Sequence, residues 1–152
     1  MKHILTPENN HKLTKAERLK NKKEIDFLFK EGVSFFYYPF HVFAIQKQAT
    51  QETKVKVLFS VSKRKFKKAT TRNAFKRKMR EAYRLNKNLL KNHSAEQLVL
   101  AIVYSGGKSM EFKDIEIKIQ KIFQRLLFLP INEIPFFKTE KNENKQNEHD
   151  PE

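Results

Sequence analysis

Two hydrophobic rhythms run along this chain, and the places where one gives way to the other mark its elements. From Lys54 to Val61 apolar and polar residues alternate, with Val55, Val57, Phe59 and Val61 on one side and Lys54, Lys56, Leu58 and Ser60 on the other. That period of two predicts a strand with one strongly buried face. Leu98 to Tyr104 is apolar throughout, as in a strand covered on both sides. Val33 to Tyr38 and Phe40 to Gln46 read as strand interrupted or begun at Pro39. From Phe112 to Leu129 the rhythm lengthens: Ile115, Ile119, Ile122, Phe123 and Leu126 fall at helical spacing, with Lys118, Lys121 and Arg125 elsewhere on the cylinder. Near the start, Thr14 is placed to cap a helix from about Lys15 to Glu31, with Glu17 completing a capping box and Gly32 ending it. Its apolar face, Leu19, Ile25, Leu28 and Phe29, is irregular in period.

A further helix lies between these strands, and its charge is one-sided. Lys63 to Lys91 holds thirteen lysines and arginines against one acid, Glu81. At 100° per residue, Arg72, Asn73, Lys76, Arg80, Arg84 and Lys87 gather on one face with Arg77 at its edge. Phe75, Met79, Ala82, Leu89 and Leu90 take the other, with Tyr83 at the seam. Arg72/Lys76, Lys76/Arg80 and Arg80/Arg84 are like-charge neighbours four apart, an arrangement that costs an isolated helix stability. A bound polyanion relieves it. Arginines on a rigid helix pair with phosphates or stack on bases; Asn73 is equally suited to bridge RNA edges or to cap a neighbouring loop.

The resulting order, α-β-β(-β)-α-β-α, predicts an α+β fold: a single-domain sandwich of one mostly antiparallel sheet with helices. At 152 residues the chain suits one domain, expected over 14–130. A flexible N-terminus (1–13) precedes it, and a polar tail (138–152), almost without apolar residues, reads as disordered. A formal charge of +15, from 32 basic residues against 17 acids, points to nucleic acid or anionic lipid. No segment has the length of apolar sequence that spans a membrane, and no signal-peptide stretch opens the chain, so a cytoplasmic location is expected. Without cysteine there is no disulfide, thiol nucleophile or cysteine zinc site. The five histidines are scattered, and no metal-ligand spacing replaces it.

Residues 60 to 85, SVSKRKFKKATTRNAFKRKMREAYRL, resemble the signature of the bacterial ribonuclease P protein component, through Phe66, Ala69, Arg72, Asn73, Phe75, Lys76, Arg77, Met79 and Arg80. Ala74 departs from it, standing where the family usually has a polar or basic residue. The resemblance extends over roughly 14 to 129. It implies the family's left-handed βαβ crossover through the basic helix, against the usual hand. It implies binding to the catalytic RNA through Lys63, Arg64, Lys68, Arg72, Asn73, Lys76, Arg77, Arg80 and Arg84. It also implies a cleft for the 5′ leader of precursor tRNA at Ile25, Phe29, Phe43, Ser60 and Ser62, where Ile25 replaces what is often phenylalanine. Hydrolysis would belong to Mg2+ held by the RNA subunit, with no catalytic residue and no metal site in the protein and no obligate protein partner.

Other readings remain beside it. A general or ribosome-associated RNA-binding protein would carry the same charge. Surface association of the basic helix with a membrane competes with the core for its apolar face. Of the fourteen phenylalanines, the cluster Phe35, Phe36, Phe40 and Phe43, with Tyr37 and Tyr38, is shared between core packing and stacking platforms for single-stranded RNA. Ser105-Gly106-Gly107-Lys108-Ser109 invites a phosphate-loop reading, but Ile102 stands where that loop needs its first glycine; a glycine turn leaving a strand accounts for it. His41, Asp26 and Glu31 are isolated in sequence and suggest no acid–base constellation.

Overall fold

The computed structural model describes residues 13–48, 55–90 and 96–138. The flexible N-terminus and the disordered tail expected from the sequence fall almost wholly outside these, as does Lys54. In chain order the elements are α1 (Lys22–Glu31), β1 (Val33–Tyr37), β2 (Phe40–Lys47), β3 (Val55–Val61), α2 (Ala69–Asn86), β4 (Gln97–Tyr104), α3 (Phe112–Leu127) and β5 (Phe136–Phe137). Short 3-10 turns occupy Lys15–Glu17, Lys87–Leu90 and Ile131–Glu133. The sheet runs β1-β2-β4-β3, with β5 also paired to β2. It is antiparallel through β1, β2 and β4, while β3 lies parallel to β4 and β5 parallel to β2. The expected α-β-β-β-α-β-α order is present, and β5 is an addition to it.

Strand alternation sorts the sheet's side chains onto two faces with different fates. Phe40, Val42 and Ala44, Val55, Val57, Phe59 and Val61, and Leu98, Leu100, Ile102 and Tyr104 point to one face. There they pack with Phe75, Met79, Ala82 and Tyr83 of α2 and Ile115, Ile119, Ile122, Phe123 and Leu126 of α3 in one buried cluster. The opposite face carries Ile45, Val99 and Ala101, which form a smaller cluster with Leu19 and Leu28 under α1. Helices thus lie on both sides, which is why β4 is apolar at nearly every position and buried at all but Val103. A polar clasp joins α2 to α3: Asn86 donates to Glu116 at 2.9 Å, and Gln120 donates to Asn86 at 2.9 Å.

Phe75 closes the larger core near the start of α2, its ring centroid 4.1 Å from that of Tyr104, which in turn meets Phe40 and Phe66. Phe75→Ala is expected to lower stability by about 3–5 kcal/mol, as read from denaturant unfolding. A loss under about 1 kcal/mol, the size of an ordinary surface change or less, would mean this ring does not close the core.

The first helix departs from its sequence expectation. The capping pattern predicts a single run from about Lys15 to Glu31, yet the chain makes one 3-10 turn at Lys15–Glu17, extends through Arg18 and Leu19, and begins α1 only at Lys22. Two competing starts explain this. The Glu17 carboxylate accepts from the Thr14 backbone N–H at 3.0 Å and from its hydroxyl at 3.1 Å. Seven residues on, Asn21 caps α1 by accepting from the Glu24 N–H at 3.1 Å. Between them the Leu19 N–H donates to the Val57 carbonyl at 3.1 Å, and Arg18 bridges Val57 in parallel. The strand edge of β3 therefore captures backbone groups that a continuous helix would have used itself. At the other end of α1, a Cβ on Gly32 would stand 2.3 Å from the Leu28 carbonyl oxygen and 3.1 Å from that of Ala44. Only glycine lets the chain drop so directly from α1 into β1.

Candidate nucleic-acid interface

The basic helix forms over Ala69–Asn86, burying Phe75, Met79, Ala82 and Tyr83 and leaving Lys68, Asn73 and Arg77 exposed, with Lys76 and Arg80 partly covered. It stops short of the pattern's Lys87, Leu89 and Leu90, which form a separate 3-10 turn with Leu89 exposed, and Tyr83, expected at the seam, is fully buried. Its cap position, Lys68, makes no side-chain cap bond, and its first turn contains no acid. The positive end of the helix dipole is therefore added to the side-chain charge. Lys63 and Arg64 stand exposed on the turn that follows β3. Two of the candidate arginines are engaged within the chain. Arg72 donates to the carbonyls of Phe66 and Lys67, both at 2.8 Å, bracing the loop before α2 against its first turn. Arg84 pairs with Glu81, and that bond holds the Glu81 carboxyl below and the Arg84 guanidinium above their usual ranges.

Sequence reasoning missed Arg18. The break before α1 brings it to the edge of β3, into a groove with Lys20, Leu58, Phe59, Lys76 and Arg80. Partial burial, and then the nearby charges of Arg18 and Arg77, lower the pKa of Arg80. Cations held together in this way form a site that an anion stabilises. The strap bearing Arg18 is fixed by Glu17, whose two carboxylate oxygens accept from Lys87 at 3.0 and 3.1 Å. The buried Tyr83 hydroxyl beside it is held far above the ordinary tyrosine pKa, first by burial and then by the Glu17 charge. No local spacing announces Arg18; its place depends on a strand 39 residues on, paired at Val57.

Across the edge lies the half of the sheet that α1 does not cover. Cross-strand register sets Phe36, His41, Val103 and Ser60 in one row, and Ser34, Phe43, Ala101 and Leu58 in the next. Phe29 reaches in from α1, 41% exposed, its ring edge-on to Phe43 at 4.8 Å. His41 lies over Phe43 at 4.5 Å, Phe36 meets His41 at 6.0 Å, and Tyr38 meets Phe36 at 6.0 Å. The result is a continuous file of rings along an open sheet face, with Phe36 and Tyr38 more than half exposed. Ser60 and Ser62 flank it on β3 and just beyond, and Ile25 is half-buried on α1. Phe43 is half-buried too. Phe35, Tyr37 and Phe40 instead turn to the helices, Phe35 under Arg125 at 4.7 Å and Tyr37 under Lys118 at 5.3 Å. His41 was isolated in the sequence; alternation from Pro39 would have placed it beside Phe43.

The glycine segment after β4 is a turn. Its Ser105 N–H donates to the Pro39 carbonyl at 2.8 Å, Tyr104 donates to the Lys108 carbonyl, and α3 starts only at Phe112. Glu24, buried on the sheet-facing side of α1, pairs with Lys47 at 2.6 Å and faces Lys56 at 3.9 Å. Among the described residues no helix is long and apolar enough to cross a membrane.

A cationic helix on one side of a sheet and a file of rings on the other define an RNA-binding domain. The model of the Ribonuclease P family matches residues 13–127. The ribonuclease P protein component of Porphyromonas gingivalis is 35% identical over 117 residues, covering 75% of this chain and 85% of that protein. The solved ribonuclease P protein of Thermotoga maritima superposes with a TM-score of 0.58 at 25% identity, over 72% of this chain and 96% of that one. That of Staphylococcus aureus shares the fold, with a TM-score of 0.58 at 22% identity, over 73% and 95%. The chain belongs to the ribonuclease P protein family. Its role is that of the family: a protein subunit of the ribonucleoprotein endoribonuclease that matures the 5′ end of tRNA, with ribonuclease P RNA and substrate RNA as partners.

Proposed function

We propose a division of the two surfaces between two RNAs. The basic helix and its approaches, Lys63, Arg64, Lys68, Asn73, Lys76, Arg77 and Arg80 together with Arg18, hold the catalytic RNA. Arg72 and Arg84 serve it partly through the loop and the acid they engage. The open sheet face takes the single-stranded 5′ leader of precursor tRNA, with Phe29 and Phe43 as stacking platforms, Ile25 as an apolar wall, and Ser60 and Ser62 as hydrogen-bonding groups. Hydrolysis itself is carried by Mg2+ held in the RNA subunit, in the cytoplasm, without an obligate protein partner. The observation that carries this reading is the file of rings Phe29, Phe43, His41 and Phe36 along a sheet face left uncovered. Soluble domains seldom leave such a surface without a ligand, and successive rings suit a strand of unpaired bases.

Phe43→Ala tests it. Stacking on this ring predicts a loss of about 1–3 kcal/mol in affinity for precursor tRNA, measured on the reconstituted complex, with affinity for mature tRNA nearly unchanged. Thermal unfolding run alongside separates stacking from packing, since Phe43 is only half-buried. Full preference for precursor over mature tRNA in a stably folded Phe43→Ala protein would remove the stacking role. A general RNA-binding protein would show no such preference in any variant.

A further inference from the structure

The family match ends at residue 127, but the described chain continues in ordered contact for ten residues more. Past α3 it turns at Ile131–Glu133, buries Ile134, and lies along β2 where β1 has ended. Gln46 holds this strap twice: its side chain donates to the Ile134 carbonyl at 3.0 Å, and its N–H to the Pro135 carbonyl at 2.8 Å. Phe136 and Phe137 then pair with Gln46 and Lys47. The Phe137 ring comes to rest on Phe27 of α1, with centroids 5.2 Å apart.

Helical geometry gives that contact its meaning. At 100° per residue, Phe27 and Phe29 stand one step to either side of Leu28 around α1, and Leu28 is the fully buried residue that seats the helix on the sheet. Phe29 leans on Phe43 toward the open face, while Phe27 leans on Phe137 toward the strap. The two ring pairs act on opposite flanks of a short helix, so together they fix its roll about its own axis. Besides the Glu24–Lys47 ion pair that ties α1 to β2, Phe137 supplies the aromatic contact that bears on that roll from the flank opposite Phe43.

We propose that the 134–137 strap, through Phe137, is a positioning device for Phe29: it holds α1 at the roll that keeps the Phe29 ring beside Phe43 and so sets the width of the leader-binding face. This rests on the leader reading above. Phe137 itself lies on the far flank of α1 and is a positioning residue, without contact to RNA.

The experiment uses the full-length chain reconstituted with its catalytic RNA, with affinities for precursor and mature tRNA measured for Phe137→Ala, Phe137→Leu, Phe29→Ala and the double variant. Phe137→Ala is expected to lower the precursor-over-mature preference about 3- to 10-fold, raising KM for precursor while leaving kcat, affinity for the catalytic RNA and its salt dependence unchanged. Phe137→Leu, which still fills the space against Phe27, restores most of the preference. In the Phe29→Ala background, Phe137→Ala should cost nothing further, a non-additivity that a general loss of stability would not produce. Ile134→Ala, which loosens the buried root of the strap while leaving the Phe137 ring in the sequence, should give the same signature and covers the case in which Phe137→Ala fails to fold. Unaltered preference in folded Phe137→Ala or Ile134→Ala, or an equal loss with and without Phe29, overturns the proposal. An unchanged preference in Phe29→Ala alone instead overturns the leader reading, and the strap's role with it.

Discussion

Replacing Lys76, Arg77 and Arg80 together with alanine is expected to weaken binding to the catalytic RNA by at least about a hundredfold at moderate salt while leaving the fold intact. The three lie on the side of α2 away from the buried stripe of Phe75, Met79, Ala82 and Tyr83, and none is paired with an acid among the salt bridges of the described residues. Each phosphate contact removed should lower the slope of log affinity against log salt by roughly one unit on a duplex-like scale, so the triple variant should lose about two to three. Arg72 stays in place because its guanidinium braces the 66–68 loop, and its loss would mix a structural effect into the binding. Arg18→Ala adds a sharper comparison, since the proposed groove at the β3 edge predicts about one further unit of slope. An unchanged affinity and slope in the folded triple variant would dismiss the basic helix as the RNA-binding face.

The fold was legible in the sequence wherever periodicity and burial agree. The alternation of Val55, Val57, Phe59 and Val61 became β3 with those side chains buried, and the uninterrupted apolar run became the central strand β4. Failure came where distant backbone decides. Leu19 keeps an apolar position that a helix could use, yet its N–H bonds Val57, a partner no local pattern reveals. β5 is two residues long in a segment that follows Pro130 and Pro135, below any periodic signal. The aromatic cluster was readable in part: alternation from Pro39 separates His41 and Phe43 from Phe40 and Val42, but which face stays open depends on how little α1 covers. Arg72 shows the limit for a motif, since letters alone do not separate a side chain that meets RNA from one that braces the loop beside it.

Several acids of the described residues, and His41, are committed to structural contacts. Glu17, Glu24 and Glu81 are each engaged with a cation, Glu116 with Asn86, and His41 stands in the ring file between Phe36 and Phe43. If hydrolysis belongs to Mg2+ on the RNA subunit, the RNA-free protein should cleave no precursor tRNA at any magnesium concentration, while the RNA alone should cleave once divalent ion is raised. The reason is electrostatic. Catalytic RNA and precursor tRNA are both polyanions, and their approach at modest ionic strength requires a counter-charge that either this protein or excess cation supplies. Adding the protein at low magnesium should therefore restore cleavage that high magnesium makes independent of it, and the Lys76/Arg77/Arg80 variant should fail to restore it. On that reading a metal ion would supply the activated water, so the chemical step itself should have the same pH dependence with and without protein when binding is saturated. Single-turnover cleavage across a magnesium series, with RNA alone, protein alone, both, and RNA with the Lys76/Arg77/Arg80 variant, measures the first four outcomes, and a pH series at saturating binding measures the fifth. Metal-dependent cleavage by rigorously RNA-free protein would move the active site into this chain and overturn the assignment.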